Sequence, residues 1–466
     1  MLASDIINNV LAAALRTGGE FAEIFVEDKR SCSAALDDGR VEEVRSGHDR
    51  GAGIRVVQGE TTGFAHTADL SEPSLIEAAV TAAAIAKNSN TGATPVPVQS
   101  SSTPLPTVRS EIGILPSDVS KSSKVELLRT ADDAARSTDG SIIQVSAHYN
   151  DTRRRILVAN SEGLFVSDDQ IRTMFSVSCV ASGDTGLQTG RQTIGQTSGF
   201  EVFDTYDLAS LSRRAARRAI TKLTARPAPS GSMPVVVSAG SGGVLFHEAC
   251  GHGLEADFVA KSASAFTGRL GEKVAADSVT LIDDGTMAKE WGHYAIDDEG
   301  KPAARNVLIS DGMLTDYMWD RNRAHKNGRQ SSGNGRRQDF RCLPMVRMTN
   351  TYVANGTIDP DDIIADTDYG IYIAQLGGGQ VNTTNGDFVF GMTEAYMIEN
   401  GRIAEPIREG NLIGNGPEVL MSIDALGNDF AMGSPGLCGK DGQGVPVGDG
   451  TPTLRVASLT IGGTTA

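Results

Sequence analysis

The sequence predicts an α+β protein, with an N-terminal α+β part built on a mainly antiparallel sheet and a strand-rich C-terminal part. Two observations support this fold class. Apolar and polar residues alternate in stretches such as FAEIFVED at 21–28, as they do in half-buried strands. Glycine-bearing dipeptides such as Asp38-Gly39 and Gln58-Gly59 separate these stretches as hairpin turns do, which is typical of antiparallel sheets.

The first stretch of the chain alternates between helical and strand patterns. A helix is predicted over 4–16, closed by Gly18-Gly19, and the strand 21–28 follows it. A meander of RVEEVRSG, GAGIRVVQ and TTGFAHT comes next, and Pro73 then opens an Ala-rich helix that extends to about Lys87. Prolines among serines and threonines make 88–117 an extended connection.

The pattern continues with a helix at about 118–137, a hairpin that turns at Ser161-Glu162-Gly163, strand to about 181 and a basic helix at 207–222. RPAPSGSMP marks a predicted domain boundary, so that residues 1–225 form an N-terminal α+β domain and 226–466 a C-terminal β-rich domain. Three dipeptides of the second domain predict hairpin turns: Asp311-Gly312, Asn355-Gly356 and Asn400-Gly401.

Composition excludes several classes of protein. The chain has 466 residues, 39% hydrophobic and 21% charged, and it contains no apolar run of about 18 residues that could span a bilayer. Its N-terminus lacks a basic start and resembles an amphipathic helix more than a signal peptide, which predicts a cytoplasmic protein. A net charge of −16 disfavours direct binding to nucleic acid. The five scattered cysteines predict reduced thiols that are free to bind metal.

One stretch carries a candidate catalytic site, GGVLFHEACGHGLEADF at 242–258. The preceding MPVVVS predicts a buried strand that leads through a tight turn into a helix bearing His247, Glu248 and His252. Neutral imidazoles are common metal ligands, and a catalytic zinc needs three protein ligands and an open position for water. Glu248 adjoins a ligand and is predicted to be the general base that takes a proton from that water, which is the chemistry of peptide hydrolysis.

The spacing of the two histidines predicts a distorted helix. His247 and His252 are five positions apart, which places them about 140° around a regular α-helix, so that both could not face one ion. A π-turn brings residues i and i+5 together, and Gly251 and Gly253 flank the second histidine, where such a distortion is needed. Without the distortion, the stretch would be a Gly-rich helix with two buried core histidines.

Beyond these residues, the whole chain resembles the TldD/PmbA family, most specifically in its C-terminal half. The family's HExxxH motif is met by residues 247–252, HEACGH. Its intact form resembles the catalytic TldD type and not the PmbA/TldE partner, which lacks the motif. Further similar segments are DDGTMAKEWGHYAIDDEG (283–300), GNGRRQ (333–338), RMTNTYVANG (347–356), GGGQVNTTNGDFVFGMTEAYMIENG (377–401) and GLCGKDGQGVPVGDGTPTLRV (436–456).

The resemblance implies a cytosolic zinc metallopeptidase that cuts short or unfolded peptides, with its zinc-binding helix in the C-terminal domain. It also implies a dimer that encloses the active site, formed either with a PmbA/TldE-type paralogue or with a second copy of the chain. A closed cavity would admit only extended chains, which strand-rich walls would bind by β-addition.

Two cysteines compete for the third metal position. Cys250 lies three residues after His247, about −60° around a regular helix. However, three ligands within six residues would leave little freedom for tetrahedral angles of about 109°. Cys438 is remote, has glycines close to it on both sides and matches the family's C-terminal cysteine. We therefore expect His247, His252 and Cys438 to bind the zinc, Lys440 to favour the thiolate form of Cys438, and Cys250 to pack as a small apolar residue.

Two other functions compete with this prediction. The strand, turn and helix around AGSGGV resemble the nucleophile elbow of α/β-hydrolases, with Ser241 as the nucleophile, although Ala239 stands where that motif requires glycine. Alternatively, the protein is a non-catalytic peptide-binding or gyrase-modulating protein whose structural zinc takes His293 as a fourth ligand. A histidine in a GHY loop is more often a surface or substrate contact than a metal ligand.

Two charged clusters complete the candidates. The acidic pairs Asp283-Asp284 and Asp297-Asp298 lack EF-hand spacing, so we expect them in solvated turns and not in a calcium site. Arg336 and Arg337 are predicted either to hold a peptide carboxylate or to form ordinary ion pairs.

Overall fold

The first half of the chain is organised around a long antiparallel sheet. The computed structural model describes residues 2–86, 97 and 109–463. Within the described residues this sheet has six strands in the order β3-β2-β1-β4-β5-β6. The strands are β1 (Phe21–Asp37), β2 (Arg40–Gln58), β3 (Thr61–Thr67), β4 (Ile142–Asn160), β5 (Phe165–Gly183) and β6 (Gly186–Gln196).

Helices cover one face of this sheet. They are α1 (Ser4–Leu15), α2 (Glu72–Ala86), α3 (Lys121–Arg136), α4 (Val202–Thr205) and α5 (Leu208–Leu223), with a 3₁₀ turn at Pro116–Asp118. α1 packs with α2 on the β1–β2 side, and α3 packs with α5 on the β4–β5 side, through small and aliphatic side chains. Because side chains alternate along a strand, Ile24 faces the helices while Phe25 faces the C-terminal half.

The local predictions for this half are largely confirmed. The predicted helices lie within about two or three residues of the observed ones, and Asp38-Gly39 and Gln58-Gly59 form the predicted turns. The segments predicted separately at 40–47 and 51–58 are one strand, because the pairing with β1 continues through residues 48–50 that join them. Most of the predicted extended connection at 88–117 lies outside the described residues.

The second half forms two larger sheets from many short strands. Across the part described up to residue 463, one sheet runs β15-β8-β23-β18-β16-β17-β7 with β19 beside β23, and another runs β11-β10-β9-β14-β22-β20 with β21 beside β22; β12 pairs β13. The strands are β7 (Arg226–Pro227), β8 (Gly231–Val237), β9 (Leu281–Asp284), β10 (Arg305–Ser310), β11 (Met313–Leu314), β12 (Gly335–Arg336), β13 (Met345–Val346), β14 (Asn350–Val353), β15 (Tyr369–Val381), β16 (Asp387–Glu399), β17 (Arg402–Arg408), β18 (Asn411–Asn415), β19 (Ile423–Leu426), β20 (Ala431–Met432), β21 (Gly436–Lys440), β22 (Gln443–Thr451) and β23 (Leu454–Gly462).

Short helices connect these strands, and the one that follows β8 enters the main core. The helices are α6 (Gly243–Phe246), α7 (Ala256–Ala260), α8 (Arg321–Lys326), α9 (Pro360–Ala365) and α10 (Gly416–Ser422). Leu245 and Phe246 of α6 lie in the largest apolar cluster, which draws on strands of both sheets. The main core therefore fixes the position of the residues that follow α6. No helix in the described ranges is long and apolar enough to cross a membrane.

Two of the three hairpin turns predicted in this half are confirmed. Asp311-Gly312 and Asn400-Gly401 have positive φ values, as the tight turns between β10 and β11 and between β16 and β17 require. The turn predicted at Asn355-Gly356 is wrong, because the chain leaves β14 there and runs to α9. The Asn355 side chain accepts a hydrogen bond from Phe430 N–H instead, and Gly356 N–H donates to the Gly427 carbonyl.

The α+β fold class with mainly antiparallel sheets is confirmed. The few parallel pairings, such as β8 with β15 and β14 with β22, lie in the C-terminal half. The division into two domains near residue 226 stays a prediction.

Candidate active site

The histidine-bearing segment is a distorted helix. α6 continues through Phe246 into a π-helical turn at His247–Gly251, in which His252 N–H donates to the His247 carbonyl five residues earlier. The distortion predicted from the histidine spacing is therefore confirmed. Gly251 lies where the turn packs against Met348, since a Cβ added there would lie 2.2 Å from Met348 Sδ. A residue with a side chain there would displace the Met348 side chain.

The distortion brings two imidazoles to one thiol. His247 Nε2 lies 3.2 Å from Cys438 Sγ, and His252 Nε2 lies 3.3 Å from the same sulfur. The donor atoms of all three residues lie within 4.8 Å of one another, and all three side chains are buried. We call His247, His252 and Cys438 the donor cluster. They are the three residues predicted as metal ligands, and their role as ligands stays a prediction.

A β-hairpin delivers the thiol. Cys438 lies on β21, opposite Val445 of β22, and Asp441 and Gly442 make the connecting turn with positive φ values. Arg347 Nη2 donates a hydrogen bond to the Cys438 carbonyl and Nη1 one to the Gln443 carbonyl. The hairpin is thus held on both strands by one buried guanidinium.

Electrostatics favour an anionic sulfur. Burial by itself raises the pKa of the Cys438 thiol, but hydrogen bonds and charge from His247 and His252 outweigh it and lower that pKa to about 4. Lys440, which was expected to favour the thiolate, binds Glu255 and Asp257 with its ammonium, and its effect on Cys438 stays a prediction. Burial raises the pKa of the Cys250 thiol, which packs in the apolar core and not in the donor cluster.

Glu255 contacts the ring nitrogen of His252 that faces away from Cys438, and this residue was not predicted from the sequence. Its Oε2 lies 3.0 Å from His252 Nδ1 and 2.9 Å from Lys440 Nζ, and the side chain is fully buried. Although burial raises the pKa of Glu255, Lys440 and His252 lower it to about 2. A carboxylate on the far nitrogen of a ligating histidine is a common second partner of metal sites. The acid three residues after His252 was the available signal.

Glu248 lies on the open side of the cluster. Its Oε2 is 3.8 Å from His252 Nε2, and its side chain is 28% exposed whereas that of His252 is 8% exposed. A carboxylate in this position is close to the histidine nitrogen that faces Cys438, without being buried among the donors.

The donor set fits a zinc ion. Two imidazole nitrogens and one thiolate are a combination that zinc prefers, and tetrahedral bonds of about 2.0–2.3 Å place ligand atoms about 3.5 Å apart. The observed sulfur–nitrogen distances of 3.2 and 3.3 Å are close to that spacing. His247 Nδ1 is buried and has no hydrogen-bond partner among the described residues, so this ring is held by packing and by its Nε2 contact.

Ser241 and His293, on which the competing functions depend, lie outside the donor cluster. Ser241 Oγ accepts a hydrogen bond from Leu376 N–H at 2.8 Å, which ties it to β15. His293 is buried with Nδ1 2.7 Å from the Gly285 carbonyl, and among the described residues it does not join the donor cluster.

The predictions about the charged clusters are confirmed for Arg337, which forms one of the predicted ion pairs, and need revision for the acidic pairs and for Arg336. Asp283, Asp284, Asp297 and Asp298 are buried and not solvated as expected, because backbone N–H groups and polar side chains compensate them; Asp283, for example, accepts hydrogen bonds from Thr349, Thr351 and Asn334. Arg337 forms an ion pair with Glu23. Arg336 has carbonyl partners instead, those of Met348 and Pro446.

Three family models match consecutive parts of the chain. The PmbA/TldA metallopeptidase domain 1 matches residues 22–86, the central domain matches 114–223 and the C-terminal domain matches 230–463. The last range contains the donor cluster and Glu248.

Relatives of similar length carry the same description. The metalloprotease TldD homologue of Buchnera aphidicola subsp. Acyrthosiphon pisum is 40% identical, over 96% of this chain and 93% of the relative. The metalloprotease TldD homologue of Haemophilus influenzae is 38% identical, over 99% of this chain and 97% of the relative. A metalloprotease of Methanothermobacter thermautotrophicus is 38% identical, over 96% of each chain.

Solved structures share the fold at lower identity. A Thermotoga maritima protein described as a proposed modulator of a DNA gyrase superimposes with a TM-score of 0.81 at 20% identity, over 98% of this chain and 99% of that chain. TldE of Thermococcus kodakarensis superimposes with a TM-score of 0.77 at 20% identity, over 98% of this chain and 99% of that chain.

Proposed function

The chain belongs to the PmbA/TldD metallopeptidase family, and from this premise we propose that it is a zinc-dependent peptidase that hydrolyses short or unfolded peptides. The observation that carries the proposal is the convergence of His247 Nε2, His252 Nε2 and Cys438 Sγ within 4.8 Å of one another. These residues would hold the zinc. Zinc held in this way polarises a peptide carbonyl and lowers the pKa of water to about 7.

Glu248 is the proton carrier of the proposed reaction. Its carboxylate accepts a proton from the attacking water as the water oxygen bonds to the peptide carbonyl carbon. When the C–N bond breaks, Glu248 returns the proton to the leaving nitrogen. The partly exposed position of Glu248, beside His252 and outside the buried donors, supports this role.

Glu255 and the cysteine hairpin position the donors. The Glu255 carboxylate accepts a hydrogen bond from His252 Nδ1–H and so directs Nε2 toward Cys438. Arg347 holds the hairpin through the Cys438 carbonyl. Preorganisation of this kind keeps the donor atoms close together before any peptide enters.

We further propose that the working unit is a dimer, formed with a PmbA/TldE-type paralogue or with a second copy, whose cavity admits only extended chains. Val389 and Ile413 are cross-strand partners on β16 and β18, and both side chains are exposed, which supports a contact surface on this sheet. Mass measurement in solution, combined with digestion of a folded and an unfolded form of one substrate, tests the proposal. A monomer, or equal cleavage of both forms, would contradict it.

The competing functions receive less support. A structural zinc would need a fourth protein ligand. In the described part of the chain only three donors converge, and His293 contacts the Gly285 carbonyl instead. A serine nucleophile would need a base, and the Ser241 hydroxyl oxygen is engaged by a backbone N–H. Three donors with an accessible carboxylate beside them favour a catalytic site over both.

Metal analysis and peptide cleavage on the same preparation test the function. We expect bound zinc, cleavage of unstructured peptides, loss of both on treatment with a chelator, and recovery of both when zinc is returned. Ser241→Ala should retain activity. Cleavage that persists without zinc and stops on treatment with a serine-directed reagent would instead support the hydrolase.

A further inference from the structure

A cavity of about 190 Å³ lies between the first sheet and the C-terminal half. Side chains of β4 and β5 form one wall of the cavity, and the loop at 291–298 forms a second wall. The β21–β22 hairpin forms the third wall through Leu437, Val445 and Pro446. The cavity is too small for most drug-sized ligands but has room for a small organic acid.

Cationic side chains dominate the polar part of its lining. Lys29, Arg154, Arg172, Arg336 and Arg337 line the cavity together with two acids, Asp297 and Asp298. Two of the arginines are neutralised: Arg154 binds Asp298 at 2.7 Å as well as Glu27, and Arg337 binds Glu23. Arg337 also has two nitrogens, Nε and Nη1, that are buried without a hydrogen-bond partner among the described residues.

The other two arginines have neutral partners. Arg172 donates to the carbonyls of Trp291 and His293 and to the Gln170 amide oxygen. Arg336 donates to the carbonyls of Met348 and Pro446. Both side chains are at most 4% exposed, and within the described ranges neither forms an ion pair with a carboxylate. Buried guanidiniums without a counter-charge are costly to fold.

The pKa values of the charged groups in the lining agree with the absence of a counter-charge on these two arginines among the described residues. Burial, followed by repulsion from Arg336 and Arg154, lowers the pKa of Arg172 to about 9. Burial and the neighbouring Glu299 raise the pKa of Asp297 above its ordinary value. The cavity therefore favours an anion.

We propose that this cavity, lined by Arg172 and Arg336, is a binding site for a carboxylate carried on a short apolar stem. Guanidinium forks match the two oxygens of a carboxylate. The remaining lining suits an apolar stem, since it consists of Trp291, Ile296, Leu437, Val445 and Pro446. Such a carboxylate comes either from a free acid or from the C-terminal residue of a peptide.

The site is distinct from the donor cluster but shares a strand with it. Leu437 lines the cavity, whereas Cys438 points to the histidines, because successive side chains of a strand face opposite sides. Arg336 also binds the hairpin through the Pro446 carbonyl. A carboxylate on Arg336 would therefore contact the back of the hairpin that carries Cys438.

Calorimetric titration of the full chain with isovalerate, and with isovaleramide as its uncharged match, tests the charge requirement. We expect saturable binding of isovalerate and binding of the amide weaker by about tenfold or more, as loss of a charge-assisted hydrogen bond predicts. Equal binding of the two compounds, or no binding of isovalerate, would overturn the proposal.

Variants then locate the binding. Leu437→Asp places a negative charge at the cavity and should weaken isovalerate binding by about tenfold more than Leu437→Asn, which is isosteric with the aspartate variant and loses the same apolar contact. Leu437 is 76% exposed, so neither change threatens folding, and Leu187→Asp repeats the change at a remote leucine that is 65% exposed. Arg172→Gln should also weaken binding. Equal effects of Leu437→Asp and Leu187→Asp would place the acid elsewhere and overturn the site.

N-acetylleucine and N-acetylleucinamide distinguish the two sources of the carboxylate. Binding of N-acetylleucine, but not of its amide, supports a site for peptide C-termini. Binding of isovalerate without N-acetylleucine supports a site for free acids. If both acetylated compounds bind alike in wild type and in Leu437→Asp, the carboxylate is not the recognised group and the proposal is wrong.

Discussion

Two buried polar clusters of this molecule are built in opposite ways. One is the donor cluster, in which three electron-pair donors face one another. The other is a network of alternating charges that joins the first sheet to the C-terminal half, here called the ion-pair network. Its members are Glu23, Glu27, Arg55, Arg154, Asp298, Glu299 and Arg337.

The partners explain the difference between the clusters. Every carboxylate of the ion-pair network meets a guanidinium; Glu23, for example, lies 2.7 Å from Arg55 and 2.5 Å from Arg337. In the donor cluster the atoms nearest Cys438 Sγ are themselves potential metal ligands, the two Nε2 atoms. Opposite charges that pair with one another hold the fold together, whereas converging donors are suited to bind a cation from outside.

Removal of the shared thiol is the strongest test of this contrast. Cys438→Ser should lose bound zinc and all peptide cleavage, because serine offers zinc a poor ligand in place of a thiolate. Cys250→Ser should retain zinc, since Cys250 packs in the apolar core. Zinc content by atomic spectroscopy measures both variants. Loss of zinc in Cys250→Ser with retention in Cys438→Ser would reverse the assignment.

Removal of the proposed proton carrier separates peptide hydrolysis from metal binding. Glu248→Gln should keep zinc and lower kcat for peptide cleavage by about 10²–10⁴-fold, the usual contribution of a general base. Unchanged zinc content is the control, because Glu248 lies outside the buried donors. If this variant cleaves peptides at the normal rate, the proton passes through another group.

The donor cluster was predictable because its signals are local or chemical. The five-residue spacing of His247 and His252 required a helical distortion, and a π-turn is present. Cys438 depended on the family resemblance, since nothing local pairs it with a histidine 191 residues away. Glu255 was missed although it lies only three residues beyond His252.

The ion-pair network could not be predicted from the sequence. Arg337 and Glu23 are 314 residues apart, and charged residues carry no periodic pattern that identifies a distant partner. The same limit applies to the fold. Helices and tight turns were predicted because amphipathic spacing and Asp-Gly or Asn-Gly pairs are local, but Asn355-Gly356 was wrong because tertiary contacts extend the chain there.

A substitution in the ion-pair network should affect stability. Glu23→Gln removes the charge between two guanidiniums and should lower the free energy of unfolding by about 3–5 kcal/mol, since it leaves buried cations uncompensated. Glu405→Gln is the matched control, because its partner Arg226 is exposed, and it should change stability by less than about 1 kcal/mol. Urea denaturation compares the two. Equal effects would mean that burial does not strengthen the network.

The last prediction concerns the place where the two kinds of cluster meet. Glu255 is paired with Lys440, as a network carboxylate is paired with arginine, yet it also orients His252 of the donor cluster. Glu255→Gln should weaken zinc binding by about 10–100-fold without abolishing it, because a neutral amide orients the imidazole less strongly than a carboxylate. Asp257→Asn removes the other carboxylate of Lys440 but leaves the His252 contact, so it should change zinc affinity much less. Competition with a chelating dye measures both affinities at one pH. If the two variants lose affinity equally, Glu255 acts only through Lys440, and its place is with the structural ion pairs.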